Sequence, residues 1–224
     1  MTARQVPRSR IVTFLMLSAS ALTWDLFSKS WVFAALGYPH RESDWSWSCP
    51  CLWGKFHIKF LTSFNQGALW GLGQGYGGVF AVLSVTAAAC MLYWLFVRGE
   101  AKSWWLTISF ALIMAGALGN LYDRLYLHGC AANGKELHGV RDFILCTIPL
   151  IGFERPFHFY LVPEYEWPIF NFADTYLVIG AGMLTLMSLR APRPSPSTAT
   201  ESGSQPDHPA GPMSGPISTH AAQT

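Results

Sequence analysis

Four aspartates of this chain stand in or beside strongly apolar stretches, where a carboxylate is costly: Asp25, Asp123, Asp142 and Asp174. Ionisable groups in such places are functional candidates because desolvation penalises them. Two carboxylates held close cannot both ionise at neutral pH, so they share one proton. One then acts as base on a water while the protonated partner polarises a carbonyl, a hydrolysis that needs neither metal nor covalent intermediate. Asp25 and Lys29 are four apart with the acid first, the favourable order for an ion pair on one helix face. Asp25 is therefore expected to stay ionised as a structural pair. Asn120, Asp123 and Arg124 also share a face by their spacing, and Asp123 is expected to be held charged if it touches Arg124. Asn171, Asp174 and Thr175 repeat that pattern. Asp142 and Asp174 have no cation at helical spacing, although Arg141 adjoins Asp142. Spacing thus offers Asp142 with Asp174, and leaves pairs that use Asp123 open.

Other chemistries lack their parts. The seven histidines all lie outside the apolar blocks, which argues against a haem held between helices. There is no HExxH and no GxSxG, so zinc-protease and serine-hydrolase readings have no minimal motif. Cys49, Cys51, Cys130 and Cys146 are expected in the loops as disulfides or free thiols, with Cys90 inside a span. Their ligand set is incomplete for a metal, and neither metal nor cofactor is expected.

The elements that must position these groups follow from composition. Of 224 residues 51% are hydrophobic and 12% charged, and the apolar residues fall in blocks rather than at amphipathic spacing. A disordered chain needs the opposite composition. A formal net charge of +2 gives no basic surface for nucleic acid. The blocks run over about residues 11–36, 77–97, 104–122 and 169–189, each near the ~20 residues a helix needs to cross a bilayer. Only helices satisfy their own backbone in lipid, so the predicted fold class is an all-α polytopic membrane protein with four transmembrane helices. The first block has the layout of a signal peptide, but its hydrophobicity resumes after Lys29 through Leu36, and it is read as a retained span.

Arg4, Arg8, Arg10, Arg98, Lys102, Arg190 and Arg193 cluster at one set of span ends, which predicts cytoplasmic termini and two outer loops, 37–76 and 123–168. Residues 1–10 are then a cytoplasmic tail, 11–189 the membrane domain, and 190–224 a disordered Pro/Ser-rich tail. At about 1.5 Å per residue, Asp25 lies in the outer half of its span and Asp174 roughly 8 Å inside the outer end of its own. No ionisable group occupies an inner half, which disfavours an ion or proton path. The alternation over 55–60 reads as a half-buried strand. Trp45, Trp47 and Trp53 suit a membrane-interface belt. Gly116 and Gly119 read as helix-packing positions, and Asn120 or Asn171 taken singly as interhelical hydrogen-bonding residues. Gly67 permits a turn after Asn65.

Five segments occur in order: Asp25-Leu-Phe-Ser-Lys29, Asn65-Gln-Gly67-Ala-Leu-Trp-Gly71, Gly116-Ala-Leu-Gly119-Asn120-Leu-Tyr-Asp123-Arg124, Val140-Arg-Asp142-Phe-Ile144 and Phe170-Asn171-Phe-Ala-Asp174. Together they resemble bacterial lipoprotein signal peptidase, signal peptidase II, over roughly residues 11–189. The resemblance implies an inner-membrane aspartyl endopeptidase that cleaves diacylglyceryl-modified prolipoproteins just before the lipidated cysteine. It implies Asp142 and Asp174 as the catalytic dyad. Asn65, Gly67, Asn120, Arg124 and Asn171 would line the site, while Asp25, Lys29 and Asp123 organise it. It further implies a small periplasmic β cradle, an outer loop or helix over the site, partners limited to substrate and membrane lipids, a monomer, and inhibition by globomycin. The stretches 125–139 and 145–167 are longer than the family's usual pattern. The rival reading is a non-enzymatic four-span lipid-binding or assembly protein.

Overall fold

The structure, a computed structural model, describes residues 6–49, 56–67, 76–154 and 158–190. The expected disordered tail beyond Arg190, together with Arg4, Cys51, Trp53, Lys55 and the Ala68–Gly71 part of the second motif, lies outside the described residues. Four helices are long and apolar enough to cross a membrane: α1 (Arg8–Leu36), α2 (Gly77–Leu92, prolonged by a π-helical turn Tyr93–Val97), α3 (Trp104–Arg124) and α4 (Phe172–Arg190).

The four apolar blocks thus form the four helices, with different ends. α1 begins at Arg8 behind Pro7, so part of the expected N-terminal tail is helical. α3 continues through Asp123 and Arg124, placing a cation in its last turn, where the helix dipole favours one. α4 begins at Phe172 rather than at Ile169, because Asn171 caps it. The Asn171 side-chain oxygen accepts the Asp174 backbone N–H at 3.0 Å, and Asp174 Oδ2 accepts the Asn171 N–H at 3.2 Å. This reciprocal pair is a capping box. It places Asp174 in the first turn, about 3 Å from the helix start and not the deeper position that the block boundaries implied.

α3 is the centre of the bundle. Two-thirds (67%) of its apolar window is buried, against 11–28% in the other three. Small residues make its close packing feasible, as expected of Gly116 and Gly119. A Cβ on Gly116 would lie 2.4 Å from the Ala173 carbonyl oxygen of α4, and one on Gly119 would lie 2.4 Å from Asp25 Oδ2 of α1. Phe14, Met91, Leu95, Phe110 and Met114 fill the other end of the bundle. Phe27, Val82, Leu186 and Leu189 are more than half exposed, as lipid-facing side chains are.

At the Asp174 end stands an antiparallel sheet in the order β1 (Glu42–Cys49), β2 (Phe56–Asn65), β5 (Val140–Glu154), β6 (His158–Glu166). A two-stranded ribbon, β3 (Ala131–Ala132) with β4 (Lys135–Glu136), turns at Asn133-Gly134, both at positive φ. The alternation near Lys59 belongs to β2, which runs on to Asn65. An all-α description therefore holds for the spans alone. The stretch 145–167, expected as a loop or helix over the site, instead extends β5 and returns as β6. Val140, Ile144, Thr147, Ile148, Ile151 and Phe153 are β-branched or aromatic, which explains that outcome. Trp45 and Trp47 lie about half exposed on β1. Cys49 is disulfide-bonded, whereas Cys90, Cys130 and Cys146 are free thiols.

Candidate active site

Two backbone links bring the strand carboxylate to the helix carboxylate. Phe170, just before the α4 cap, bridges to Ile144 of β5, with Ile144 N–H donating to Phe170 O at 2.8 Å and Phe170 N–H to Ile144 O at 3.1 Å. Asp142 lies two residues along β5 on the same strand face as Ile144. Asn171 then joins the two carboxylates. Its Nδ2 donates to Asp142 Oδ1 at 2.6 Å, while its backbone N–H and side-chain oxygen hold Asp174 through the cap. From α3, Asn120 Nδ2 donates to Asp174 Oδ1 at 2.8 Å. Burial, and then the neighbouring Asp174 charge, push the Asp142 carboxyl well above the usual carboxylate range, opposed in part by Lys29 and by hydrogen bonds from Asn171 and Asn65.

Asn65 reaches this place from the end of β2, whose register sets it opposite Val140 and Ser63 opposite Asp142. Its side-chain oxygen accepts the Gly67 N–H at 3.0 Å, an Asx turn that fixes the amide. Gly67 contributes through its backbone N–H. Gly139 is a further requirement: it sits at φ +132°, and a Cβ there would lie 2.8 Å from the Asn65 carbonyl oxygen.

Behind the carboxylates lies a buried ion cluster. Lys29 Nζ contacts Asp25 Oδ2 at 2.8 Å and Asp123 Oδ2 at 3.2 Å, all three side chains being fully buried. Asp25 Oδ1 accepts the Ala173 N–H of α4 at 2.8 Å. The expected Asp25–Lys29 pair is present. Asp123, however, is held by Lys29 and Arg141 rather than by Arg124, since successive helix residues face different directions. Arg141 donates to Asp123 from its backbone N–H at 3.0 Å and from Nε at 2.9 Å, and reaches Ser30 Oγ from Nη1 at 3.2 Å. Sequence reasoning missed Arg141, Ser30 and Gly139. Strand alternation was the available signal for Arg141, because it sends that side chain and Asp142 to opposite faces.

Arg124 faces the other way, over the Phe80 ring at 5.3 Å, and lines a cavity of about 1120 Å³ together with Asn65, Gly67, Asn120, Asp142 and Asp174. The rest of that cavity is largely apolar and runs down between α2 and α4 along Leu83, Ala87, Ile113, Leu177 and Val178. All ten sequence-predicted site residues therefore fall in two adjoining groups. Six line the cavity, Asn171 links its two carboxylates, and Asp25, Lys29 and Asp123 lie in the ion cluster behind them. Among the described residues no group of His, Cys, Asp or Glu has metal-site geometry.

A family model described as "Signal peptidase (SPase) II" matches residues 17–190. The chain belongs to the signal peptidase II family. A lipoprotein signal peptidase of Rhodopirellula baltica is 38% identical, with 81% of this chain and 74% of that protein covered. One of Bifidobacterium longum subsp. infantis is 31% identical over 81% of each, and one of Xanthomonas campestris pv. campestris 28% identical over 83% and 93%. Two solved structures of a bacterial membrane enzyme share the fold: one at TM-score 0.58 and 20% identity, covering 92% of this chain and 100% of its own, the other at 0.55 and 21%, covering 85% and 99%. The chain is accordingly a protease that crosses the membrane several times, and the non-enzymatic reading falls away.

Proposed function

We propose that the chain is an aspartyl endopeptidase that cleaves diacylglyceryl-modified prolipoproteins immediately before the lipidated cysteine, with Asp142 and Asp174 as its catalytic dyad. The observation that carries this reading is the pairing of two carboxylates through Asn171 at the polar end of an apolar, laterally placed cavity. Burial of Asp142 beside Asp174 favours one shared proton. The ionised member takes a proton from water as its oxygen attacks the scissile carbonyl carbon. The protonated member gives its proton to the carbonyl oxygen. Collapse of the resulting diol reverses these movements and expels the cysteine amine. No metal or cofactor enters the reaction.

The apolar slot between α2 and α4 suits acyl chains or the signal helix, which would enter sideways while the scissile bond rests at the carboxylates. Arg124 and Asn65, which line the cavity, would hold substrate backbone carbonyls. We read the protein as a monomer of the bacterial inner membrane, 11–189 being its peptidase domain, with cytoplasmic termini and the sheet end periplasmic. Globomycin would inhibit it by occupying the dyad. The test is processing of a diacylglyceryl prolipoprotein by purified enzyme. Asp142→Asn and Asp174→Asn should each abolish cleavage while staying folded and inserted, and cleavage by either one would overturn the dyad.

A further inference from the structure

We propose that Lys29 is a positioning residue that acts through Asn120 to fix where the shared proton of the dyad resides: on Asp142, leaving Asp174 as the carboxylate that deprotonates water. This rests on the dyad reading above and adds an order of roles to it.

The Lys29–Asn120–Asp174 hydrogen bonds and the unequal burial of the two carboxyls carry the inference. An ammonium group has three donors and no acceptor. Lys29 Nζ, fully buried, meets three acceptors: Asp25 Oδ2 at 2.8 Å, Asp123 Oδ2 at 3.2 Å and Asn120 Oδ1 at 3.2 Å. Asn120 must therefore turn its carbonyl towards Lys29, and its Nδ2 is left to face Asp174 Oδ1 at 2.8 Å. The opposite amide orientation would set an N–H against the ammonium. The same logic fixes Asn171, whose oxygen accepts the Asp174 N–H at 3.0 Å and whose Nδ2 is left for Asn120 Oδ1 at 3.3 Å and Asp142 Oδ1 at 2.6 Å. Asp174 thus receives an N–H from an amide polarised by a cation. Its other oxygen receives the Asn171 N–H at 3.2 Å, at the electropositive end of α4. Donors aimed at a carboxylate favour its charged form.

Asp142 also accepts N–H donors, from Asn171 Nδ2 at 2.6 Å and from Asn65, but its burial differs. It is 2% exposed, on β5 rather than at a helix start, whereas Asp174 is half-buried and open to the cavity. Burial and Asp174 raise its carboxyl well above the usual range. The charges that face the dyad from every packed element are Asp25 and Lys29 of α1, Asp123 and Arg124 of α3, and Arg141 of β5. With the dyad included, these are three cations and four carboxylates, so a single proton makes the assembly neutral. The deeper burial of Asp142, set against the helix start and the Lys29-polarised amide at Asp174, then chooses its seat. In the reaction, Asp174 accepts the proton from water while Asp142 gives its own to the carbonyl oxygen. Asp142 recovers a proton from the diol as the C–N bond breaks, and Asp174 passes its proton to the leaving amine.

Proton placement can be read without turnover. In enzyme carrying 13Cγ-labelled aspartate, the resonances missing from Asp142→Asn and Asp174→Asn assign the two carboxyls. At neutral pH the Asp142 signal of the wild type should have the shift of a protonated acid and the Asp174 signal that of a carboxylate. The reverse order, or equal sharing, would overturn the proposal. The role of Lys29 is read from the Asp25→Asn/Lys29→Met double variant, which removes the cation together with its partner. The acid limb of kcat should move up by about one pH unit or more, with kcat at neutral pH down about tenfold and KM within about twofold. Asn120→Ala, which leaves every ion in place, should move the same limb should the double variant fail to fold. Lys29→Arg should restore part of the limb. A uniform fall in activity with no movement of the limb in the folded variants would reduce Lys29 to a structural role. These outcomes are separable from the dyad reading: cleavage by Asp142→Asn or Asp174→Asn sinks that reading, whereas two inactive variants with the proton on Asp174 sink only this inference.

Discussion

Gly116→Ala tests whether the α3–α4 contact sets the geometry of the dyad. The added Cβ would lie 2.4 Å from the Ala173 carbonyl oxygen and 2.8 Å from Leu177 Cγ. Ordinary contact begins near 3.4 Å, and the nearest obstacle is backbone, which no rotamer change removes. α4 must therefore move away by roughly 1 Å, and a displacement of that size at a reacting group costs about 10²-fold in rate. Ala173 adjoins Asp174, so the shift falls on the carboxylate itself. Overpacking should also cost about 1–3 kcal/mol of stability. Gly182→Ala is the control on the same helix, where nothing lies within 4 Å of the new methyl. Activity on a lipid-modified peptide and thermal unfolding in detergent read both effects. If Gly116→Ala matches Gly182→Ala in both measurements, the argument that this contact positions Asp174 is wrong.

Three more outcomes follow. Asp142 has a folded-state pKa raised by burial, so its penalty is absent below the unfolded carboxylate pKa of about 4 and grows as pH rises towards the folded value. Asp142→Asn should melt above the wild type at neutral pH, with the two curves converging in acid; a pH-independent gap would contradict this. Asp123→Asn weakens both the Lys29 and the Arg141 contacts, and breaking buried pairs costs about 3–5 kcal/mol, so membranes should hold less folded enzyme with partial residual activity. EDTA should leave the cleavage rate unchanged, and a loss restored by added metal would count against the aspartyl chemistry.

The four spans were legible because apolar runs of helix-spanning length with at most two charges have few other readings. Asp25 with Lys29 was legible because both partners lie on one helix, where spacing alone sets contact. Asp123 was misread for the complementary reason. Its partners, Lys29 and Arg141, sit 94 and 18 residues away on other elements, and no local rule ranks them above the adjacent Arg124. The choice of Asp142 with Asp174 had the same weakness, since it depends on β5 meeting the start of α4 at Ile144 and Phe170. The long second loop was expected as a cover because its length stood out. Its β-branched and aromatic content, and the Asn133-Gly134 turn, were the signals that pointed to strands.

The Asn171-Phe-Ala-Asp174 segment is a helix cap rather than a polar face within a span, and this sets the depth of Asp174. An acid at the third position of a capping box is confined to a helix end, because only there do free N–H groups await an acceptor. A helix that crosses lipid must end where water or protein can satisfy those groups. The position of Asp174 near one rim of the bundle therefore follows from the same contacts that orient its carboxylate. Asn171 is the residue on which both depend, since it caps α4 and also holds Asp142. Losing a cap costs about 1 kcal/mol of helix stability. Losing this one also removes the 2.6 Å donor to Asp142 and the bond that holds the Asp174 N–H, so substitutions of Asn171 should reduce activity far more than that energy alone implies.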